Sequence, residues 1–239
     1  MPYFLSNENL QTGKLIQISG EEARHILLSH RVKIGEQIKL QGPDGKRFEA
    51  EVVKADKKSL TVKAQSQIKV PAEPAVQIVL FQSIVSEKAL DFIFQKSTEL
   101  GAAKIVLFNS ANTATKLSAD LFKKKKERWE KILAEAAKQS ERAKWPSLEF
   151  AGGINQAIEK LKSFNKVFLA DSSGQKISIL SPLTSTLAII IGPEGGFTQG
   201  ETSTFKNLSN LEAISLGPIT LRAETATLAV LAILKNLFP

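Results

Sequence analysis

The residues of this chain whose types and spacing suit chemistry gather in two stretches near its end. The first, IIGPEGGFTQGE (190–201), is an apolar run broken by Gly192, Pro193, Glu194, Gly195 and Gly196. Thr198 and Glu201 follow at capping-box spacing, which fixes where a helix begins. The second, ISLGPITLRAET (214–225), repeats Gly-Pro and then sets Arg222, Glu224 and Thr225 at the head of a long apolar segment. A strand that ends in glycines and runs straight into a helix lets backbone groups approach a ligand closely. The known phosphate loops do not fit. Glu201 stands where a Walker A loop needs lysine, and no G-x-G-x-x-G is present. An acidic Glu194 inside the loop opposes a polyphosphate and favours a neutral or cationic ligand. S-adenosylmethionine, with its positive sulfonium and an adenine readable by backbone groups, is such a ligand. A pair of tight turns with no ligand would use the same glycines.

These loops need a parallel sheet behind them, and the sequence supplies one. From residue 75 onward, continuous apolar strands alternate with helical segments: AVQIVLFQ (75–82), a helix over 86–101, KIVLF (104–108), and a long helix from about 118 to 142. A helix over 155–163 follows, then KVFLA (166–170), TLAIIIG (186–192), a helix from 198, EAISLG (212–217) and a final helix. Such strands lie in a mainly parallel sheet covered on both faces. The last helix is apolar on nearly every side, which predicts deep burial or a subunit interface. In the long helix, Trp129, Ile132, Leu133 and Ala136 read as inward and the lysines as outward.

Residues 1–70 read differently. Short alternating strands and turns suggest a small β-barrel, with one helix in SGEEARHILLSH, where Ser19 and Glu22 have capping-box spacing. KVPAEPAV (69–76), with Pro71 and Pro74, reads as a stiff linker to the second domain at 75–239.

Composition narrows the function. There are no cysteines, and the only two histidines, His25 and His30, read as packing or surface residues, so thiol, metal and serine–histidine chemistry are all disfavoured. No apolar run reaches the length of a membrane span, and no secretory signal opens the chain, which suggests a cytoplasmic protein without a membrane partner. Net charge is +8. Residues 123–144 hold nine basic and four acidic side chains, an excess of five, against twelve and nine in residues 1–74. A concentrated basic segment suits RNA phosphates, although a solvated helix face has the same composition.

Together, IGPEGGFTQGE and ISLGPITLRAETA resemble the SPOUT superfamily of RNA methyltransferases. The nearest likeness is to the bacterial family that methylates N3 of a uridine in small-subunit (16S) ribosomal RNA. QKSTELGAAKI (95–105), KKERWEKILAEAAKQSERAKWP (125–146) and HILLSHRVKIGEQI (25–38) extend the resemblance over nearly the whole chain. It implies a PUA-like β-barrel that binds RNA, an α/β domain with a C-terminal trefoil knot, S-adenosyl-L-methionine as cofactor, no metal, and a homodimer acting on 16S rRNA or the small ribosomal subunit. By motif, Gly192, Pro193, Glu194, Gly195, Leu216, Gly217, Leu221, Arg222 and Thr225 would surround the cofactor, with Leu169, Ala170 and Asp171 at the end of KVFLA as the remaining wall. Arg222 would stabilise charge on the uracil, and Glu224 would orient it or act as base. Arg24, Arg31, Lys33, Lys123, Lys124, Lys125, Lys126, Arg128, Lys138 and Arg142 would hold RNA. The chain departs from the family pattern at Tyr3, in the loop NSANTATK (109–116), at Lys138, and at Pro218 and Thr220. All of these are presumed RNA-facing positions. A SPOUT enzyme for another nucleotide or a ribose 2′-hydroxyl, and a non-catalytic RNA-binding protein, are the competing readings.

Overall fold

The computed structural model describes residues 3–176 and 186–237, which divide into two units. The first comprises residues 1–72 together with 137–144. Its strands are β1 (Tyr3–Leu5), β2 (Leu15–Ser19), β3 (Gln37–Gln41), β4 (Arg47–Ala55) and β5 (Ser59–Ile68). They form one sheet in the order β1-β3-β4-β5-β2, with β1 and β2 at its two ends. The expected barrel is therefore seen as a half-barrel sheet. β2 shows why one face packs: Ile16 and Ile18 are buried while Leu15, Gln17 and Ser19 are exposed. α1 (Gly20–Arg24) and a π-helical turn (His25–Ser29) follow β2. His25 and His30 lie edge-on to the Phe4 ring, at centroid distances of 6.1 and 5.1 Å, and serve packing.

Two expectations for this unit are corrected. Ser19 makes no side-chain capping bond. Its supposed partner Glu22 instead accepts hydrogen bonds from the Leu5 N–H at 2.7 Å and from Lys138 Nζ at 3.1 and 3.0 Å. Lys138, expected to face outward to RNA, is thus a buried, ion-paired residue. The segment 137–144 is held by further internal bonds. Tyr3, itself buried, donates its hydroxyl to the Arg142 carbonyl at 2.8 Å. Arg47, also buried, stacks on the Tyr3 ring at 3.8 Å and donates to Gln41 Oε1 at 2.8 Å and the Arg142 carbonyl at 3.2 Å. Tyr3 stands where the family usually has arginine, and its work here is packing.

The second unit holds residues 73–136 and 145–239. Its strands among the described residues are β6 (Ile78–Ser83), β7 (Lys104–Phe108), β8 (Ser147–Gly152), β9 (Lys166–Lys176), β10 (Leu187–Ile191) and β11 (Leu211–Ser215). They lie in the order β11-β9-β10-β6-β7-β8, and every pairing is parallel. The helices are α2 (Glu87–Glu99), α3 (Ala119–Gln139), α4 (Ile154–Leu161), α5 (Gln199–Lys206) and α6 (Ala223–Leu237). The last three residues of α3 count with the first unit.

Alternation along the strands builds two cores. Leu187, Ile189 and Ile191 of β10 pack in a cluster with Ile93, Phe94, Trp129, Leu231 and Leu234 from α2, α3 and α6. Ala188 and Ile190 face the other way, toward Ala157, Leu161 and Phe205 of α4 and α5. β1 and β8 were not foreseen; the one is three residues long and the other pairs only at the sheet's edge. α6 buries one face, with Val230, Leu231 and Leu234, and exposes Ile233 and Leu237. The connection between β9 and β10, residues 177–185, lies outside the described residues, and with it the threading of the expected trefoil knot.

Candidate active site

The two glycine-bearing loops leave β10 and β11 at the same end of the sheet, on either side of β9. Together they enclose a cavity of about 440 Å³. Its walls include Gly192, Pro193, Glu194 and Gly195 after β10, and Leu216, Gly217 and Leu221 after β11. Gly217 has φ +115°, a backbone state that L side chains rarely adopt, which explains the glycine at that turn. The third wall comes from β9 itself. Ala213 of β11 pairs with Leu169, but the next residue, Ile214, pairs with Gln175. Residues 170–174 are therefore looped out of the ladder, and Ala170, Asp171 and Ser172 line the cavity. Gly174 permits the return: a Cβ there would lie 2.5 Å from backbone atoms of Ile214.

The loop after β10 is clamped from three directions. Thr198 and Glu201 form the expected capping box: Glu201 Oε2 accepts from the Thr198 N–H at 2.9 Å, and Thr198 Oγ1 accepts from the Glu201 N–H at 3.2 Å. The other oxygen of Glu201 accepts from the Ala111 N–H at 2.7 Å. Asn112 Nδ2 donates to the carbonyls of Gly195 and Gly196 at 3.1 and 3.0 Å. Glu194 Oε1 accepts from the Ser86 N–H at 3.0 Å. The arginine-free loop 109–116 thus braces its neighbour. It is itself held by a buried cluster in which Ser83 Oγ lies 2.7 Å from Ser110 Oγ, and by Asn109, whose side chain bonds both the N–H and the carbonyl of Leu117.

Asp171 sets the local charge. Burial would raise its carboxyl, but hydrogen bonds from the Ser173 N–H and hydroxyl, both at 2.8 Å, hold it below the usual range. It is anionic at neutral pH and suits hydroxyl or ammonium groups.

Of the residues expected around a cofactor, nine line the cavity: Ala170, Asp171, Gly192, Pro193, Glu194, Gly195, Leu216, Gly217 and Leu221. Three do not. Leu169 points into the core against α4 and α5, as strand alternation requires. Arg222 and Thr225 are exposed, and on the same turn it is Ala223 and Ala226 that face the cavity. Glu224 is half-buried and also lies outside the lining. Ser172, Phe197, Ile219 and Thr220 are lining residues outside the expected set; the β9 loop-out that brings Ser172 in beside Asp171 has no signature in sequence.

The expected RNA contacts also separate. Arg24, Arg31 and Lys33 are exposed on the first unit, and Lys123 and Lys124 on α3. Lys125 pairs with Glu87 at 2.7 Å, Arg128 with Glu87 and Asp91, and Lys126 with Glu130 at 3.6 Å. Arg142 is half-buried. Among the described residues no cluster of acidic and histidine side chains could hold a metal, and no helix is long and apolar enough to cross a membrane.

Residues 72–235 match the family model of an RNA methyltransferase domain, and residues 18–65 that of an RNA methyltransferase PUA domain. A Bacillus subtilis (strain 168) protein named ribosomal RNA small subunit methyltransferase E is 32% identical over 237 residues, covering 95% of this chain and 92% of its own. The structure of a ribosomal RNA small subunit methyltransferase E from Neisseria gonorrhoeae bound to S-adenosyl methionine superposes with a TM-score of 0.86 at 30% identity, covering 100% of this chain and 98% of the other. A Legionella pneumophila structure in complex with the bound cofactor SAM gives a TM-score of 0.87 at 30% identity, covering 98% and 97%. With the family model spanning most of its length and relatives aligned end to end, the chain belongs to the RNA methyltransferase family that includes ribosomal RNA small subunit methyltransferase E.

Proposed function

We propose that this protein transfers a methyl group from S-adenosyl methionine to N3 of a uridine in 16S ribosomal RNA. The observation that carries the reading is the cavity in which both glycine-bearing loops and the β9 loop-out meet. The residues present fit the cofactor. The cavity is roomy, part apolar and rich in backbone groups, it contains the anionic Asp171, and no lysine lines it among the described residues. Asp171 would take hydroxyl or ammonium groups, and the loops 192–195 and 216–221 would read the adenine. Bound there, the cofactor supplies an electrophilic methyl carbon.

The protein's task is then alignment and charge control. Arg222 follows one lining residue and precedes another, Leu221 and Ala223, and it is exposed without a hydrogen-bonded side-chain partner among the described residues. We assign it to the negative charge that develops on a uracil oxygen. Residues 1–70 act as a PUA-like RNA-binding module and residues 75–239 as the knotted methyltransferase domain. Phe92 of α2 and Ile233 and Leu237 of α6 are exposed apolar side chains on neighbouring helices, which supports a homodimer through that face. The substrate places the enzyme in the cytoplasm, on the small subunit.

The test is incubation of the protein and S-adenosyl methionine with unmethylated small subunits, followed by nucleoside mass spectrometry. 3-Methyluridine is the expected product. A ribose-methylated nucleoside, or no product together with no cofactor binding in calorimetry, would overturn the reading.

A further inference from the structure

Beside the first cavity lies a second of about 440 Å³, and Glu194 and Gly195 are walls of both. Its other walls are apolar at Ile84, Val85, Leu90 and Leu117, with Trp129 at one side and Lys116 among the polar residues. We propose that this second cavity receives the extruded target uracil and that Glu194 accepts the proton from its N3. The inference rests on the function proposed above.

Three observations lead to it. N3 lies on the Watson–Crick edge, so an enzyme that methylates it must take the base out of its stack and into a pocket. The second cavity has the volume of a small-molecule site and shares the Glu194–Gly195 wall with the first, so a base held there lies beside the site of the methyl donor. Glu194 sits on the shared boundary. Its Oε1 is fixed by the Ser86 N–H at 3.0 Å, while Oε2 has no partner among the described residues. One oxygen positions the carboxylate and the other is left to act.

The chemistry balances. The N3–H proton passes to the Glu194 carboxylate, and the electron pair left on N3 forms the new bond to the methyl carbon. The carbon–sulfur bond breaks with both electrons kept by sulfur, and the proton then leaves Glu194 for water. Uridine and a sulfonium thus give N3-methyluridine, a thioether and one proton. The same carboxylate discriminates between pyrimidines. Uracil offers it an N–H, whereas cytosine offers a lone pair at N3 and is repelled.

Two variants test this. Ala114 is an exposed wall residue of the second cavity and does not line the first, so A114W fills the one and spares the other. Calorimetry should give A114W the wild-type affinity for S-adenosyl methionine and thermal unfolding the wild-type Tm, with methylation of small subunits lowered by roughly 100-fold or more. E194Q should lose roughly 10²–10⁴-fold at pH 7, the usual worth of a positioned base. Its rate should then climb about tenfold per pH unit up to pH 9 as N3 loses its proton unaided, while wild type stays nearly flat. Wild-type turnover in A114W, or a wild-type pH profile in E194Q, would overturn the proposal. A wild-type protein that makes no 3-methyluridine would instead overturn the function on which the proposal rests.

Discussion

Replacing Lys138 by methionine separates a structural role from an RNA contact. The ammonium donates to both oxygens of Glu22, and the two side chains are 6% and 21% exposed. Removing one member of a buried pair costs about 3–5 kcal/mol, because the remaining charge is stranded. Glu22 keeps the Leu5 N–H and some contact with water, which lowers the expected loss to about 2–3 kcal/mol. For a chain of this size that is a fall in Tm of roughly 4–12 °C. The double variant K138M/E22Q removes the stranded charge and should recover part of the loss. RNA affinity measured across a salt series, below the unfolding range, should keep the wild-type slope. The control is K123A/K124A, which removes two exposed cations. That change should flatten the slope by about 0.7 per lost phosphate contact on single-stranded RNA, with Tm unchanged. If K138M weakens RNA binding and flattens the slope while its Tm stays at the wild-type value, the structural assignment is wrong.

Further outcomes follow from the site and the sheet. G174A should cost about 1–3 kcal/mol of stability and weaken cofactor binding, since its Cβ would press on the Ile214 backbone; thermal unfolding and calorimetry check both. D171N should weaken S-adenosyl methionine about 10–100-fold in calorimetry, the worth of one charge-assisted hydrogen bond. R222A should lower methyl transfer at least about tenfold with little change in cofactor affinity, read by single-turnover kinetics. Burial pushes Glu149 up, but hydrogen bonds from Lys104 and Lys160 outweigh it and hold the carboxyl below its ordinary 4.5. The stability it contributes is present above that ordinary value and lost as pH falls through the lower folded one. E149Q should therefore flatten the acid limb of a Tm–pH curve below about pH 5.

Much of the second unit was legible because its strands are continuous apolar runs and its helices have periodic faces. KIVLF matches its strand residue for residue, and the Thr198–Glu201 cap forms as spaced. The Ser19–Glu22 spacing looked the same and failed, because Lys138 and the Leu5 N–H outcompete a local cap for that carboxylate. Lys138 itself was misplaced by counting charges along a helix without knowing that its last turn meets an acid. The glycines announced the cavity. Ser172 enters it, beside the expected Asp171, through a register jump between β9 and β11, which depends on pairing partners far apart in sequence. Leu169 shows the opposite error, since a motif that names a strand end does not say which of its side chains turn inward.

The clamp on the loop after β10 has a consequence for assembly. Its contacts join residues 86 with 194, 111 with 201, and 112 with 195, separations of 108, 90 and 83 positions. None can form until the segment after β6 or β7 meets the chain after β10, so the binding loop cannot mature as a local element. Closing such long loops comes late in folding. Ligand-competent protein should accordingly appear only with the last phase of refolding, and cofactor capture would then serve as a quality check that passes complete molecules alone.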